Sequence, residues 1–194
     1  MRLLTILTIA YFSCSISGAK ISCDFFKTKN PQKQGSKNLG ATNMYRIAGL
    51  KPALLTLAID FFKPLPTLYL STLVHMTIEQ QVSVCIACIL GHIAPIYNYF
   101  KGGKGVATAL ACLCFMTPGI ALLAVVYWLA SIATTRISFV SSLLTAYSAL
   151  LWTIMAGYDH AIVIGYACIA FILTMTHLPN ISSSSALLSN AKSR

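Results

Sequence analysis

Gly35-Ser36-Lys37-Asn38-Leu39-Gly40-Ala41-Thr42-Asn43-Met44-Tyr45-Arg46 gathers hydroxyls, carboxamides and cations into one short stretch of a chain that is otherwise mostly apolar. Small residues let backbone N–H groups turn toward an anion. Ser36, Asn38, Thr42 and Asn43 can donate hydrogen bonds to it, and Arg46 can grip a phosphate through two parallel bonds. A polar turn between apolar segments accounts for the Gly and Asn, but not for their density beside Arg46. A second island runs from Gly91-His92 to Phe100-Lys101-Gly102-Gly103-Lys104-Gly105 and feeds Val106-Ala107-Thr108, which reads as a helix start. Free N–H groups and the positive dipole end of that helix suit an oxyanion, and Lys104 adds a point charge. Gly105 stands where a nucleotide-binding P-loop needs Ser or Thr, which excludes that motif. A lysine pair beside a membrane also attracts anionic lipid headgroups, so the loop alone leaves both readings open.

Other chemistry-bearing residues are sparser. His177 and Asn180 lie three apart at the end of the last apolar run, and Ser138 and Ser141 share a helical face just after Arg136. His92, ahead of the helix-bending Pro95, is a secondary candidate, as are Ser141 and Asp60. Asp60 and Lys63 are three apart and Lys20 and Asp24 four apart, so each pair can neutralise itself on one helix face. No Asp or Glu is close in sequence to His92 or His177, and Asp159 stands only beside His160 on the opposite side, which leaves a serine nucleophile unsupported. The set suits positioning and charge neutralisation, with a donor already activated by a leaving group such as phosphate. Seven cysteines in or beside apolar runs, including Cys85-Ile86-Ala87-Cys88, read as buried structural thiols rather than a metal or disulfide framework. No metal or cofactor is expected.

The elements that must position these residues are membrane spans. With 194 residues, 57% hydrophobic and 9% charged, the chain lies far from the usual soluble composition of about 25% charged. A span takes roughly 20 residues, which leaves no room for a separate soluble domain. The expected architecture is all-α and integral to the membrane: one domain, residues 1–194, folded as a seven-transmembrane helix bundle. Apolar runs fall at about residues 3–25, 50–73, 79–98, 104–116, 119–135, 138–156 and 160–177. The fourth is short, and Thr117-Pro118-Gly119 closes it as a turn. The first is expected to remain as a span rather than be removed as a signal peptide, because it continues through Ile21 and Phe25-Phe26. His75 and His160 fall on the opposite side and receive no role.

Fourteen Lys and Arg against four Asp and Glu give +10, compatible in principle with nucleic acid, anionic lipid or an anionic substrate. Position favours the last two. Lys27, Lys29, Lys33, Lys37, Arg46, Lys51, Lys101, Lys104, Arg136, Lys192 and Arg194 fall on one side of a seven-span arrangement. The positive-inside rule puts that side in the cytoplasm and the N-terminus outside. Both islands then face the cytoplasm. The run Ser182–Ser185 and the residues after it read as a solvated end.

These motifs resemble the bacterial membrane acyl-phosphate:glycerol-3-phosphate acyltransferases, the PlsY family, over nearly the whole chain. The first motif resembles Gly35-Ser36-x-Asn38-x-Gly40-Ala41-Thr42-Asn43-x-x-Arg46, and the second Gly91-His92-x-x-Pro95 with Lys101–Thr108. Ser138 and Ser141 match a Ser-x-x-Ser, Asp60–Lys63 an Asp-x-x-Lys, and His177–Ile181 a His-x-x-Asn-Ile. The resemblance implies transfer of an acyl group from acyl phosphate to the 1-position of glycerol 3-phosphate, giving lysophosphatidic acid and phosphate, the first step of phospholipid synthesis. It implies multi-pass residence in a bacterial inner membrane, with membrane lipids and the two substrates as partners and no nucleic acid. Ser36, Arg46, Lys104, Ser138, His177 and Asn180 become the catalytic set. Ser36, Asn38, Thr42, Asn43, Arg46, Lys101, Gly102, Gly103, Lys104 and Gly105 become the groups that hold substrate phosphate. A substrate phosphate is expected to take the hydroxyl proton.

The chain departs from the family at Thr176, where Arg is usual, at Lys37, where Gly is common, and after Ile181, where a basic stretch with Glu is replaced by Ser182–Ser185. Two rival readings remain. A transporter of phosphorylated metabolites would carry binding groups near mid-membrane and often an internal repeat; an inactive scaffold for anionic lipid is suggested by the altered tail.

Overall fold

A computed structural model describes residues 1–192, with side chains through Ser183. Among them all regular structure is helical: α1 (Arg2–Cys14), α2 (Gly18–Phe26), α3 (Ala41–Ala48), α4 (Leu50–Phe62), α5 (Leu65–Leu73), α6 (Ile78–Ile93), a 3₁₀ turn (Ile96–Asn98), α7 (Val106–Met116), α8 (Pro118–Thr135), α9 (Ser138–Met155) and α10 (His160–Lys192). Among the described residues six stretches are long and apolar enough to cross a membrane: Arg2–Phe26, Leu50–Leu73, Ile78–Asn98, Pro118–Thr135, Ser138–Met155 and His160–Ser183. α7 is the exception. Its 11 residues rise about 16 Å, roughly half of a hydrocarbon core of about 30 Å.

Many contacts between helices fall to small residues, beside larger ones such as Leu68 and Ile89. Ala10, Cys14, Cys88, Ala111, Cys112, Ala121, Ala124 and Ala170 are all buried, whereas Leu4, Phe25, Leu54, Leu122, Leu151 and Phe171 are exposed. That is the distribution of a bundle packed by backbone approach and solvated by lipid. The seven cysteines are free thiols, four of them buried.

Three spans are broken, the third at Ala94-Pro95 between α6 and the 3₁₀ turn, and the breaks of the first two meet. α1 ends before Ser15–Ser17, and α4 gives way to α5 at Lys63-Pro64. The Lys63 ammonium donates to the Ile16 carbonyl at 2.8 Å, to Asp60 Oδ1 at 2.9 Å and to His92 Nδ1 at 2.8 Å. The Gly18 N–H, at the start of α2, donates to the same Asp60 oxygen at 3.2 Å. Backbone groups freed by a break inside a membrane must find partners in the protein, and this cluster supplies them. Two expectations change here. A carboxylate does stand beside a histidine, since Asp60 Oδ1 is 3.5 Å from His92 Nδ1. Because Nδ1 accepts from Lys63, however, His92 cannot also donate through it to Asp60, and no triad results. Lys20, placed by sequence opposite Asp24, instead donates to Asn98 Oδ1 at 2.9 Å.

α10 continues through Pro179 to Lys192 instead of ending near residue 177. The hydroxyl of Ser182 bonds the Pro179 carbonyl at 3.2 Å, and that of Ser183 bonds the Pro179 carbonyl at 2.9 Å and the Asn180 carbonyl at 3.0 Å. Serines expected to solvate a loose end thus bond back onto the helix. The side chains of Lys192 and Arg194, two of the cations assigned by sequence to one side, lie outside the described residues.

Candidate active site

The loop over residues 30–40 owes its shape to a buried amide. Asn43 Nδ2 donates to the carbonyls of Pro31, Gln34 and Asn38 at 3.0–3.1 Å, and its Oδ1 accepts the Ser36 N–H at 2.9 Å. Asn43 is 1% exposed, and both of its N–H groups are taken up, one of them shared between carbonyls. It presents Ser36 rather than reaching for a ligand itself. Gly35, at φ +59, sits so close that a Cβ there would lie 2.2 Å from Asn43 Oδ1. The chain then enters α3, whose last turn carries Arg46 outward.

In the second island the glycines serve close packing. A Cβ on Gly102 would lie 2.1 Å from the His92 carbonyl oxygen, and one on Gly103 would lie 2.2 Å from His92 Nε2 and 2.8 Å from the Leu39 carbonyl oxygen. The Gly103 N–H donates to the His92 carbonyl at 3.2 Å. The loop is thereby clamped between both motifs, with half-buried Lys104 as its forward cation. Burial, with the Arg46 guanidinium second, lowers the Lys104 amine from its usual range to about 8.

Ser138 opens α9 behind a corner in which Ser141 bonds the Ile137 carbonyl at 3.2 Å and the Thr135 hydroxyl at 3.0 Å. The Ser138 hydroxyl stands 3.4 Å from that of Thr42, joining the first island to α9. On α10, His177 Nδ1 is 2.7 Å from the Leu173 carbonyl, which can only accept. The Nδ1 proton is thereby fixed, and Nε2 keeps its lone pair. The preceding Thr176 hydroxyl reaches the Lys104 carbonyl at 3.1 Å and the Leu173 carbonyl at 2.9 Å.

A cavity of about 740 Å³ unites these groups. Its mouth is bordered by Ser36, Asn38, Thr42, Asn43, Arg46, Lys104, Gly105, Ser138, His177 and Asn180, with Asp60 and His92 at its edge. Lys101, Gly102, Gly103 and Ser141, also singled out by sequence, do not border it: the first is exposed and the others support the walls. Arg136 does border it, although the sequence used that residue only to orient the chain. Its position one residue past the end of α8 and two before Ser138 was the available signal.

Sequence reasoning missed the remainder of the cavity altogether. Below the mouth an apolar arm runs between α7, α8, α9 and α10, bordered by Leu113, Ala124, Trp128, Ala149, Ile169 and Tyr166 among others. The Trp128 indole N–H donates to Ser142 Oγ at 3.3 Å, and Ser142 in turn bonds the Ser138 carbonyl at 2.9 Å, tying one wall of the arm to the mouth. A cationic mouth on an apolar arm is the shape required by a ligand with an anionic head and a hydrocarbon tail.

The family model for glycerol-3-phosphate acyltransferase matches residues 4–186. The chain is 41% identical over 137 residues, 71% of either chain, to a glycerol-3-phosphate acyltransferase of Pseudomonas syringae pv. syringae strain B728a. To one of Francisella philomiragia subsp. philomiragia it is 37% identical over 179 residues, 91% of this chain and 86% of the relative. Among solved structures it is similar to PlsY, an integral membrane glycerol 3-phosphate acyltransferase. Against the glycerol 3-phosphate form the TM-score is 0.89 at 29% identity, covering 98% of this chain and 94% of the other. Against the lysophosphatidic acid form it is 0.87 at 29% identity, covering 98% and 93%.

Proposed function

We propose, for a chain that belongs to the glycerol-3-phosphate acyltransferase family, that the acyl donor is an acyl phosphate and the acceptor atom is the 1-hydroxyl oxygen of glycerol 3-phosphate. Acyl transfer to glycerol 3-phosphate in a multi-pass membrane protein comes with the family and the fold. The donor, the position and the residues that act are the proposal. The observation that carries it is the two-part cavity. Arg46, Lys104 and Arg136 border one polar mouth, enough positive charge for two phosphates at once, while the arm accepts a hydrocarbon chain and offers no surface for a large carrier.

In the proposed reaction the guanidinium of Arg46, with Ser36 and Asn38, holds one phosphate, and Lys104 with the Gly105 helix start holds the other. Asn180 orients the 1-hydroxyl toward the donor carbonyl carbon, while His177 Nε2 accepts from the neighbouring 2-hydroxyl and leaves the 1-hydroxyl proton free. The hydroxyl oxygen bonds that carbon, the carbon–oxygen bond to phosphate breaks, and inorganic phosphate leaves. His177 bonds the Leu173 carbonyl and stands beside the Thr176 hydroxyl. Neither is an anion that would stabilise an imidazolium, so the hydroxyl proton passes to a substrate phosphate. Two phosphorylated reactants held in one site supply most of the advantage through orientation and charge neutralisation.

The whole chain acts as one domain in this reading. α7 makes a short seventh crossing, the start of α1 lies outside, and the mouth faces the cytoplasm of a bacterial inner membrane. The cations clustered at the mouth end support that orientation. Incubating the purified protein with palmitoyl phosphate and glycerol 3-phosphate is expected to give lysophosphatidic acid and phosphate, whereas palmitoyl-CoA gives none. Equal product from the thioester overturns the donor assignment.

A further inference from the structure

The arm has a floor, and the short α7 puts it there. Along α10 the residues bordering the cavity step from His177 through Leu173 and Ile169 to Tyr166, one face of the helix. Along α9 they step from Ser138 through Ser142 and Ala146 to Ala149. Both ladders count eleven residues (177 − 166 and 149 − 138), a depth of about 16 Å at 1.5 Å per residue. At that depth the Tyr166 hydroxyl hydrogen-bonds the hydroxyl of Thr117, the residue that caps α7. Tyr166 is 4% exposed and Thr117 1%, so the ring is held in place where it borders the deep end of the arm. A separate void of about 10 Å³, bordered by Val82, Gly165 and Tyr166 itself, adjoins it. A full-length α7 would carry its cap past Tyr166 and leave the ring without that bond.

We propose that Tyr166, held by Thr117, is a ruler that sets the longest acyl chain the enzyme accepts. The inference rests on the reading of the arm as the site of the donor's hydrocarbon chain. An extended chain advances about 1.2 Å per bond, as the protein backbone does. About 16 Å below the level of His177 and Ser138 therefore accommodates about fourteen carbons, and sixteen when the carbonyl lies about 2.4 Å above those residues. The donor arrives from lipid, so burying another methylene brings no hydrophobic gain over the bilayer it left. Selection comes from fit: a chain longer than the arm must buckle against the ring or withdraw its carbonyl from the mouth.

The test compares kcat/KM for dodecanoyl, hexadecanoyl and icosanoyl phosphates, with glycerol 3-phosphate as acceptor and the full chain purified in detergent. The wild type is expected to use icosanoyl phosphate about tenfold less well than hexadecanoyl phosphate, the size of effect that overpacking a formed core produces. Tyr166→Leu is expected to raise the icosanoyl-to-hexadecanoyl ratio about tenfold. Ala149→Leu, which narrows the arm at the same depth, is expected to lower the hexadecanoyl-to-dodecanoyl ratio. Ratios within one variant are unaffected by a uniform loss of active protein. If Tyr166→Leu does not fold, the wild-type profile and Ala149→Leu decide. A flat wild-type profile, or ratios that neither substitution moves, overturns the ruler and means that the chain leaves the arm sideways into lipid. Absence of turnover with every acyl phosphate is a separate result, and it sinks the proposed donor.

Discussion

The mouth of the cavity draws its side chains from four separated stretches, around residues 36–46, 104–105, 136–138 and 177–180, whereas the arm takes one face from each of four consecutive helices. In the mouth the functional groups are held by polar bonds to backbone: Asn43 on three carbonyls, His177 on Leu173, Thr176 on Lys104. In the arm the walls are mostly apolar, with Trp128, Ser142 and Tyr166 bonded to protein partners, and shape is the main thing they offer. The two regions therefore divide the work. In the proposed reaction the mouth decides whether transfer occurs, and the arm decides which chain is transferred.

Arg46→Ala is the strongest way to break that division. Arg46 is exposed and ends a short helix, so its loss leaves the fold standing. Two charge-assisted bonds to phosphate, each worth about 1.5–3 kcal/mol, predict a fall of about 10³ in kcat/KM. The fall is expected to be the same for dodecanoyl and hexadecanoyl phosphates. A loss that depended on chain length would show that the mouth and the arm are not separate, and retained activity would remove Arg46 from the site.

The same division explains what is legible in the sequence. Groups suited to phosphate and hydroxyl chemistry announce themselves by type and density, so Ser36, Arg46, Lys104 and His177, all of which border the cavity, stand out from the chain alone. Asn43 carries the same signal and does something else, because its sequence position does not reveal that three loop carbonyls converge on it. Lys101, Gly102 and Gly103 share the composition signal of Lys104, yet the two glycines pack against His92 and Lys101 points to solvent. The arm leaves no trace because Ala124, Ala149 and Ile169 look like any lipid-span residues. Hydropathy locates the spans to within a few residues. That the fourth is short is visible too, but its use in meeting Tyr166 depends on which helix stands beside it. The breaks at Ser15–Ser17 and Lys63-Pro64 are likewise hidden, since only their meeting in space explains the charges between them.

A pH profile sharpens the comparison at the level of one amine. Lys104, lowered to about 8, loses its proton as pH rises through that value, and a neutral amine holds phosphate poorly. The expected result is a kcat/KM for glycerol 3-phosphate that declines above pH 8, approaching tenfold per unit, since that parameter reports the free enzyme. The profile of kcat shifts to higher pH, because a bound phosphate retains the proton. In stability the sign is opposite. A lysine with a lowered folded value opposes folding while charged, so the fold gains stability as pH rises from about 8 toward the usual 10.5. Lys104→Arg is expected to remove the alkaline limb, as guanidinium does not titrate there. A limb that survives the substitution belongs to another group.

The smallest effect tests whether the departure at Thr176 is compensated. Its hydroxyl is the contact between α10 and the Lys104 carbonyl, so it sets the height of the Lys104 backbone without touching substrate. Thr176→Val keeps the shape and removes the donor, and one neutral hydrogen bond is worth about 0.5–1.5 kcal/mol. A twofold to tenfold rise in KM for glycerol 3-phosphate is therefore expected, with little change in kcat and none in chain-length preference. Thr176→Ser should restore the wild-type value, because it returns the hydroxyl without the methyl. If Val leaves KM unchanged, the Lys101–Gly105 loop is held by its packing on His92 alone. If it changes the chain-length ratio instead, the influence of Thr176 runs down α10 into the arm, and the boundary between the two regions must be drawn below Leu173.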